Sequence, residues 1–156
     1  MAWSDPTTPN LTDFTSFVYD SMGVPIAALP VNSPFIGYAF SRAIAEVASY
    51  PVLAPIEYVL AVYNCAGHVL LKIAPNPAGQ SYFADVRGTG PLGYGLNSPQ
   101  LGMVAATSDS GTSNTFATPD SFKSMTLSAL DYMRTPWGRD YLAYVQDYGP
   151  TIWGLS

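Results

Sequence analysis

One cysteine, one histidine and six lysines and arginines in 156 residues leave little material for most protein chemistry. A lone cysteine excludes an intrachain disulfide and a cysteine-based zinc site. A lone histidine acts as base or metal ligand only if carboxylates or a nucleophile converge on it. Charged residues make up 11% of the chain, less than half the roughly 25% of an ordinary soluble domain. With a net charge of −5 and the few basic residues scattered, the composition argues against a phosphate-gripping surface. Long apolar runs are also scarce. The longest charge-free run outside the loops, Tyr58 to Leu71, has 14 residues and includes Asn64 and His68, which predicts no bilayer span. The N-terminus, MAWSDPTTPN, has neither the basic nor the apolar region of a secretory signal, so a soluble product of a reducing cytoplasm is expected.

Apolar residues, at 48%, and aromatics, at 13%, are plentiful. Much of the surface must then be neutral polar, aromatic or Pro/Gly backbone, and neighbours are expected to cover a large part of it. The length suits a single domain, 1–156.

Helix signals dominate the chain. Asn10 predicts an N-cap for a helix from Leu11 to Met22, stopped by Gly23, with Leu11, Phe14, Phe17, Val18 and Met22 on its apolar face. Ser33-Pro34 reads as cap plus first residue of a helix ending near Ser49, its buried stripe Ile36, Phe40, Ala43, Ile44 and Val47. A third helix is expected from Pro55 to about Ile73, with Glu57 in its first turn and Lys72 in its last, as the helix dipole favours. Its middle, YVLAVYNCAGHVLL, is apolar nearly all round and marks the central helix, and Gly67 suggests a close crossing. Ser81 to Arg87 suits a short helix. From Gly88 to Pro119 the chain turns to Gly, Ser, Thr and Pro, and two short strands around Asp109-Ser110-Gly111 are expected there. Thr118-Pro119 opens a helical stretch that re-caps at Thr126 and ends near Arg134. Thr135-Pro136 then starts a last helix with Trp137, Tyr141, Tyr144, Val145 and Tyr148 on one face, ended by Gly149-Pro150. The fold class is mainly α: a bundle of four to five helices. Its body spans about 10–87 and 119–149, a projecting loop or β-hairpin arm about 88–118, and an extended C-terminal tail 150–156.

Candidate chemistry is sparse. Cys65 and His68, three apart on the third helix, share a side and form a candidate dyad, but no oxyanion-type turn accompanies them. The simpler reading is a packed thiol and an ordinary helical histidine. Asp5, Asp13, Asp109 and Asp120 read as cap or turn residues, and Asp131, Asp140 and Asp147 as solvated helix positions. SDSGTS lacks the strand–turn–helix context of a nucleophile elbow, and GTGPLGYG lacks both a P-loop lysine and dinucleotide-binding spacing. The segment TPWGRDYLAYVQDYGPTIWGL holds two of the three tryptophans. Its helix reads as core. The tail beyond Gly149-Pro150 is too short to be an element, yet it carries Ile152, Trp153 and Leu155, and so reads as a contact device. Arg139 lies in the helix's first turn, where the dipole disfavours a cation, and so calls for an external carboxylate. The partner-interface residues are therefore Asp109, Ser110, Gly111, Arg139, Ile152, Trp153 and Leu155.

AWSDPTTPNLTDFTSFVYDSMGVP near the start, GMVAATSDSGTS in the loop and TPWGRDYLAYVQDYGPTIWGLS at the end resemble a group of small proteins from tailed-phage structural modules. The chain is similar in size and helical content to the head-to-tail adaptors of phage necks. The resemblance covers essentially the whole chain and is most specific in its last segment. It implies a helical bundle with an extended arm, repeated in a ring of usually twelve copies beneath the portal. Its partners would be the portal and the tail or nozzle proteins, with DNA passing through without specific binding and no membrane involved. Such a protein is made in the host cytoplasm and resides in the virion neck, between capsid and tail. The resemblance implies no enzymatic activity, catalytic residue, cofactor or metal. A tail-completion or other minor virion protein is the nearest alternative; a small enzyme or ligand-binding domain using Cys65 and His68 is the alternative from another class. An acidic, lysine-poor chain suits a conduit through which DNA slides, because phosphate contacts would hold it.

Overall fold

The computed structural model describes residues 4–47, 54–98, 106–109, 112–115 and 126–148. Its first helix, α1 (Leu11–Ser16), opens where the Asn10 side chain accepts the Asp13 amide at 2.8 Å. The helix then widens into a π turn over Phe17–Ser21, closed by the Met22 amide on the Phe17 carbonyl at 3.0 Å. Phe14, Phe17, Val18 and Met22 all point inward, and Gly23 leaves the helix at φ +67. Leu11, expected on this apolar face, is 45% exposed and lines an open surface groove with Ile26 and Val31 instead.

Helix α2 (Pro34–Glu46) starts at its proline, although Ser33 makes no side-chain cap bond, and ends before the expected Ser49 because Val47 turns extended. Ile36, Ala39, Ala43 and Val47 are buried and Phe40 is half-buried. Ile44 is exposed instead, one residue and so about 100° round from Ala43.

Helix α3 (Pro55–Ile73) has the expected bounds and lies at the centre of the core. Its Tyr63 ring stands 5.8 Å from both Phe14 and Phe17 between centroids. The Gly67 crossing is with the π turn: a Cβ there would lie 3.0 Å from the Met22 sulfur. The 14-residue run misjudged this helix in one respect, since over 19 residues it is long and apolar enough to cross a membrane. Most of that window, 67%, is buried against the rest of the chain, as in the core helix of a globular fold.

Helix α4 (Tyr82–Arg87) buries Phe83 and Val86. Its Arg87 donates to the Lys72 carbonyl at 2.8 Å and to that of Ala74 at 2.6 Å, satisfying carbonyls at the end of α3. Residues 88–98, expected to begin the projecting arm, fold back on the body instead. The Tyr94 amide bonds the Val86 carbonyl at 2.7 Å, Tyr94 meets the edge of Trp137, and Arg134 donates to the Ser98 carbonyl at 3.1 Å. Farther on, β1 (Ala106–Asp109) and β2 (Thr112–Thr115) pair antiparallel, with Ala106 opposite Thr115 and Asp109 opposite Thr112. Only Ser110 and Gly111 separate them in sequence, as a two-residue hairpin requires.

Helix α5 (Leu127–Tyr132) is capped by Thr126, which accepts the Ala129 amide at 3.2 Å. The stretch expected to start at Thr118-Pro119 lies outside the described residues. Thr135 caps α6 (Pro136–Tyr148) through the Gly138 amide at 3.0 Å. Tyr141 and Tyr144 are buried, Trp137 is half-buried, and Val145, expected on this face, is exposed at its edge. The protein is mainly α, with six helices among the described residues: α2 and α6 flank α3, and α1 packs on α2 with its Phe14 ring against Tyr63 of α3.

Gly67→Ala is expected to be near neutral in urea unfolding. The gain in helix propensity, about 1 kcal/mol, offsets the small shift asked of the flexible Met22 thioether. Gly67→Leu is expected to cost about 1–3 kcal/mol, because the π turn itself must then move.

Candidate functional site

The polar residues of α3 do not pair with one another. Cys65 is fully buried with its Sγ 3.6 Å from the Tyr132 hydroxyl, and Tyr132 in turn donates to Glu46. Since the phenolic proton goes to Glu46, the thiol is the donor to the Tyr132 oxygen. His68 turns elsewhere: its Nδ1 is 2.8 Å from Thr135 Oγ1 and its Nε2 is 3.4 Å from Asp131 Oδ2. The Cys65–His68 dyad weighed from the sequence has no hydrogen bond between its members.

A carboxylate only accepts, so the neutral imidazole carries its proton on Nε2, and Nδ1 accepts from the Thr135 hydroxyl. The Thr135 oxygen simultaneously takes the Gly138 amide. One directional chain therefore runs from the start of α6 through Thr135 and His68 to Asp131, where Lys72 also donates. Asp131, expected to be solvated, is 22% exposed and held between His68 and Lys72. Burial raises its pKa, but the Lys72 ammonium and His68 outweigh that and lower it overall. Burial likewise lowers His68 to about 4, against the opposing pull of Asp131. The Cys65 thiol is pushed up to about 12, chiefly by burial, and burial with the Glu46 bond raises Tyr132.

Thr135, His68 and Asp131 stand in the order of a hydrolytic triad, but Thr135 is 0% exposed and its oxygen is committed to the helix cap. No substrate reaches such a nucleophile, and a histidine with so low a pKa is a weak base at neutral pH. The cleft that His68 and Tyr132 line together with Arg42, Glu46, Lys72 and Asp131 holds about 120 Å³, room for roughly four waters at about 30 Å³ each. Among the described residues no group of three or more His, Cys, Asp or Glu is placed to hold a metal ion. The arrangement locks the α5–α6 junction to α3.

Asp13 departs from the simple cap role expected of it. It is buried, and accepts from the Ser4 amide at 2.9 Å, the Asp5 amide at 3.0 Å and the Asn10 side chain at 2.9 Å. Burial raises its pKa, but these donors prevail and lower it to about 2. Asp5 is the expected turn residue, accepting the Thr7 amide at 2.8 Å.

Of the interface residues, Asp109 ends β1 and Arg139 is exposed in the first turn of α6. Ser110, Gly111, Ile152, Trp153 and Leu155 lie outside the described residues. The sequence reading missed a surface beside α1. There Leu11, Ile26 and Val31 line an open apolar groove with Tyr19, and Ile26 and Val31 are 63% and 60% exposed. The available signal was VPIAALPV, an apolar stretch between prolines that no helix absorbs. Comparison with protein-family models, with curated proteins and with solved structures finds no match to this chain.

The depressed pKa of His68 fixes the sign of an acid effect. The unfolded chain takes up the proton near 6.5 and the folded chain only near 4, so stability is full above about 6.5 and falls as pH drops toward 4. The loss is on the order of 3 kcal/mol, and melting curves of His68→Gln across this window are expected to be markedly flatter. Cys65 is expected to react with iodoacetamide at pH 8 only as fast as the chain opens, tracking denaturant rather than thiol ionisation.

Proposed function

We propose that this protein is a structural virion component, a head-to-tail adaptor whose copies form a ring between the portal and the tail of a tailed phage. The observation that carries the reading is the division of its residues. Buried polar groups are spent on one another, around Asp13 and along the Thr135–His68–Asp131 chain. Large apolar side chains remain exposed on the outside, at Leu11, Ile26, Val31 and Tyr38. That is the economy of a protein whose surface is completed by neighbours rather than by substrate. The resemblance of the terminal segments supplies the identity of those neighbours: portal on one side, tail or nozzle proteins on the other. With −5 per chain, copies repel one another, so rings are expected to close on the partner rather than in free solution at low salt. The same charge suits a channel that DNA traverses without being held.

Removing Thr151 to Ser156 is expected to leave the melting temperature nearly unchanged while abolishing attachment to portal-bearing particles, scored by co-sedimentation. Arg139→Ala is expected to weaken attachment more than folding. Wild-type attachment by the truncated chain, or its failure to fold, would remove the tail from the proposed interface.

A further inference from the structure

Helix α5 has little apolar hold on the body. Of its six residues only Tyr132 is buried, and Leu127 is 70% exposed. What ties it down is polar: Tyr132 bonds Cys65 and Glu46, and Asp131 takes His68 and Lys72. Thr135, the cap of α6, adds its contact with His68. The same segment in turn covers His68. The Tyr132 ring lies 4.5 Å from the imidazole between centroids, with Asp131 at one ring nitrogen and Thr135 at the other. Lifting residues Thr126 to Gly138 would therefore hydrate His68 without disturbing the rings of Phe14, Phe40 and Tyr63. The cleft of about 120 Å³ that His68 and Tyr132 line gives protons a route to this seam.

The seam fits a neutral imidazole. Thr135 Oγ1 meets the Gly138 amide and His68 Nδ1. The amide donates, so the hydroxyl proton goes to Nδ1. A second proton on the ring turns Nδ1 into a donor as well. Two N–H groups then face one oxygen, and the hydroxyl proton loses its acceptor at a fully buried site. Surrounding charges do not offset this. Asp131 of α5 and Glu46 of α2 favour the cation, whereas Lys72 of α3 and Arg42 of α2, lining the same cleft, oppose it. Cys65 and Tyr132 stay uncharged, since burial raises both, and the α6 side presents the uncharged Thr135.

We infer that α5 and the cap of α6 form an acid-released latch: protonation of His68 frees residues Thr126 to Gly138 from α3 while α1, α2 and α3 stay packed. Asp13, held at about 2 by its donors, remains ionised through the same range and keeps the start of α1 fastened. The latch does not rest on the adaptor reading. Its sign is fixed, because His68 takes its proton near 6.5 when hydrated and near 4 when covered. The open fraction is thus constant above about 6.5 and climbs as pH falls. From pH 7 to 4 the opening equilibrium is expected to rise about a hundredfold.

The full chain, followed by NMR between pH 7 and 4, provides the test. One histidine in the chain makes the ring signals unambiguous. Exchange of the Leu130, Met133 and Gly138 amides, corrected for its intrinsic pH dependence, is expected to show that hundredfold rise. The amides of Ala43, Val62 and Ala66 are expected to keep their protection. His68→Gln, neutral throughout, is expected to abolish the rise. Should that variant not fold, the wild-type slope decides: one proton per opening between about pH 6 and 4.5 identifies the histidine, because carboxylates titrate lower. Any other slope there overturns the latch. A rise shared equally by the α2 and α3 amides means global unfolding and overturns it too. So does a flat junction profile while the ring titrates, or an unchanged rise in folded His68→Gln.

Discussion

Burial of α3 on nearly every side constrains the rest of the molecule. A helix in that position cannot leave polar atoms unpaired, because each costs about 1–3 kcal/mol. Three of its side chains carry such atoms, and each finds its partner at the end of another element. Tyr63 exchanges hydrogen bonds with the Asn10 backbone, at the start of α1. Cys65 meets Tyr132, at the end of α5. His68 meets Thr135, the cap of α6. Satisfying one helix thus fixes where three others begin or stop.

The same accounting describes the setting of the histidine and the thiol. The interactions that hold them also consume the lone pair or proton that catalysis would need. Burial moves their pKa values away from neutrality, His68 downward and Cys65 upward, so neither changes charge near pH 7. What the interior withholds, the surface offers. With charge so scarce, large apolar side chains stand exposed among the described residues beside α1 and on α2.

Much of the architecture was legible before any coordinates. Asn10, Pro55 and Thr126 announce their helices and Gly23 ends one, because capping and φ preference act over a few residues of backbone. The errors fall where a helix face meets its boundary. Leu11, Ile44 and Val145 all have the right periodicity for burial and are exposed, because periodicity gives a stripe's direction but not its width. Asp131 and Asp13 were read as ordinary surface or capping carboxylates. Their true partners include residues that no local rule connects to them.

By itself, then, the amino-acid order determined the mainly α class, most helix ends and the central place of α3. These follow from local backbone energetics and composition. Tertiary structure alone decided that His68 lies against Asp131 and Thr135, 63 and 67 residues away, that residues 88–98 return to the body, and that an apolar groove opens beside α1. Those outcomes depend on how helices cross and which polar atoms burial forces together. Such distances are set by packing in space, and spacing along the chain carries no record of them.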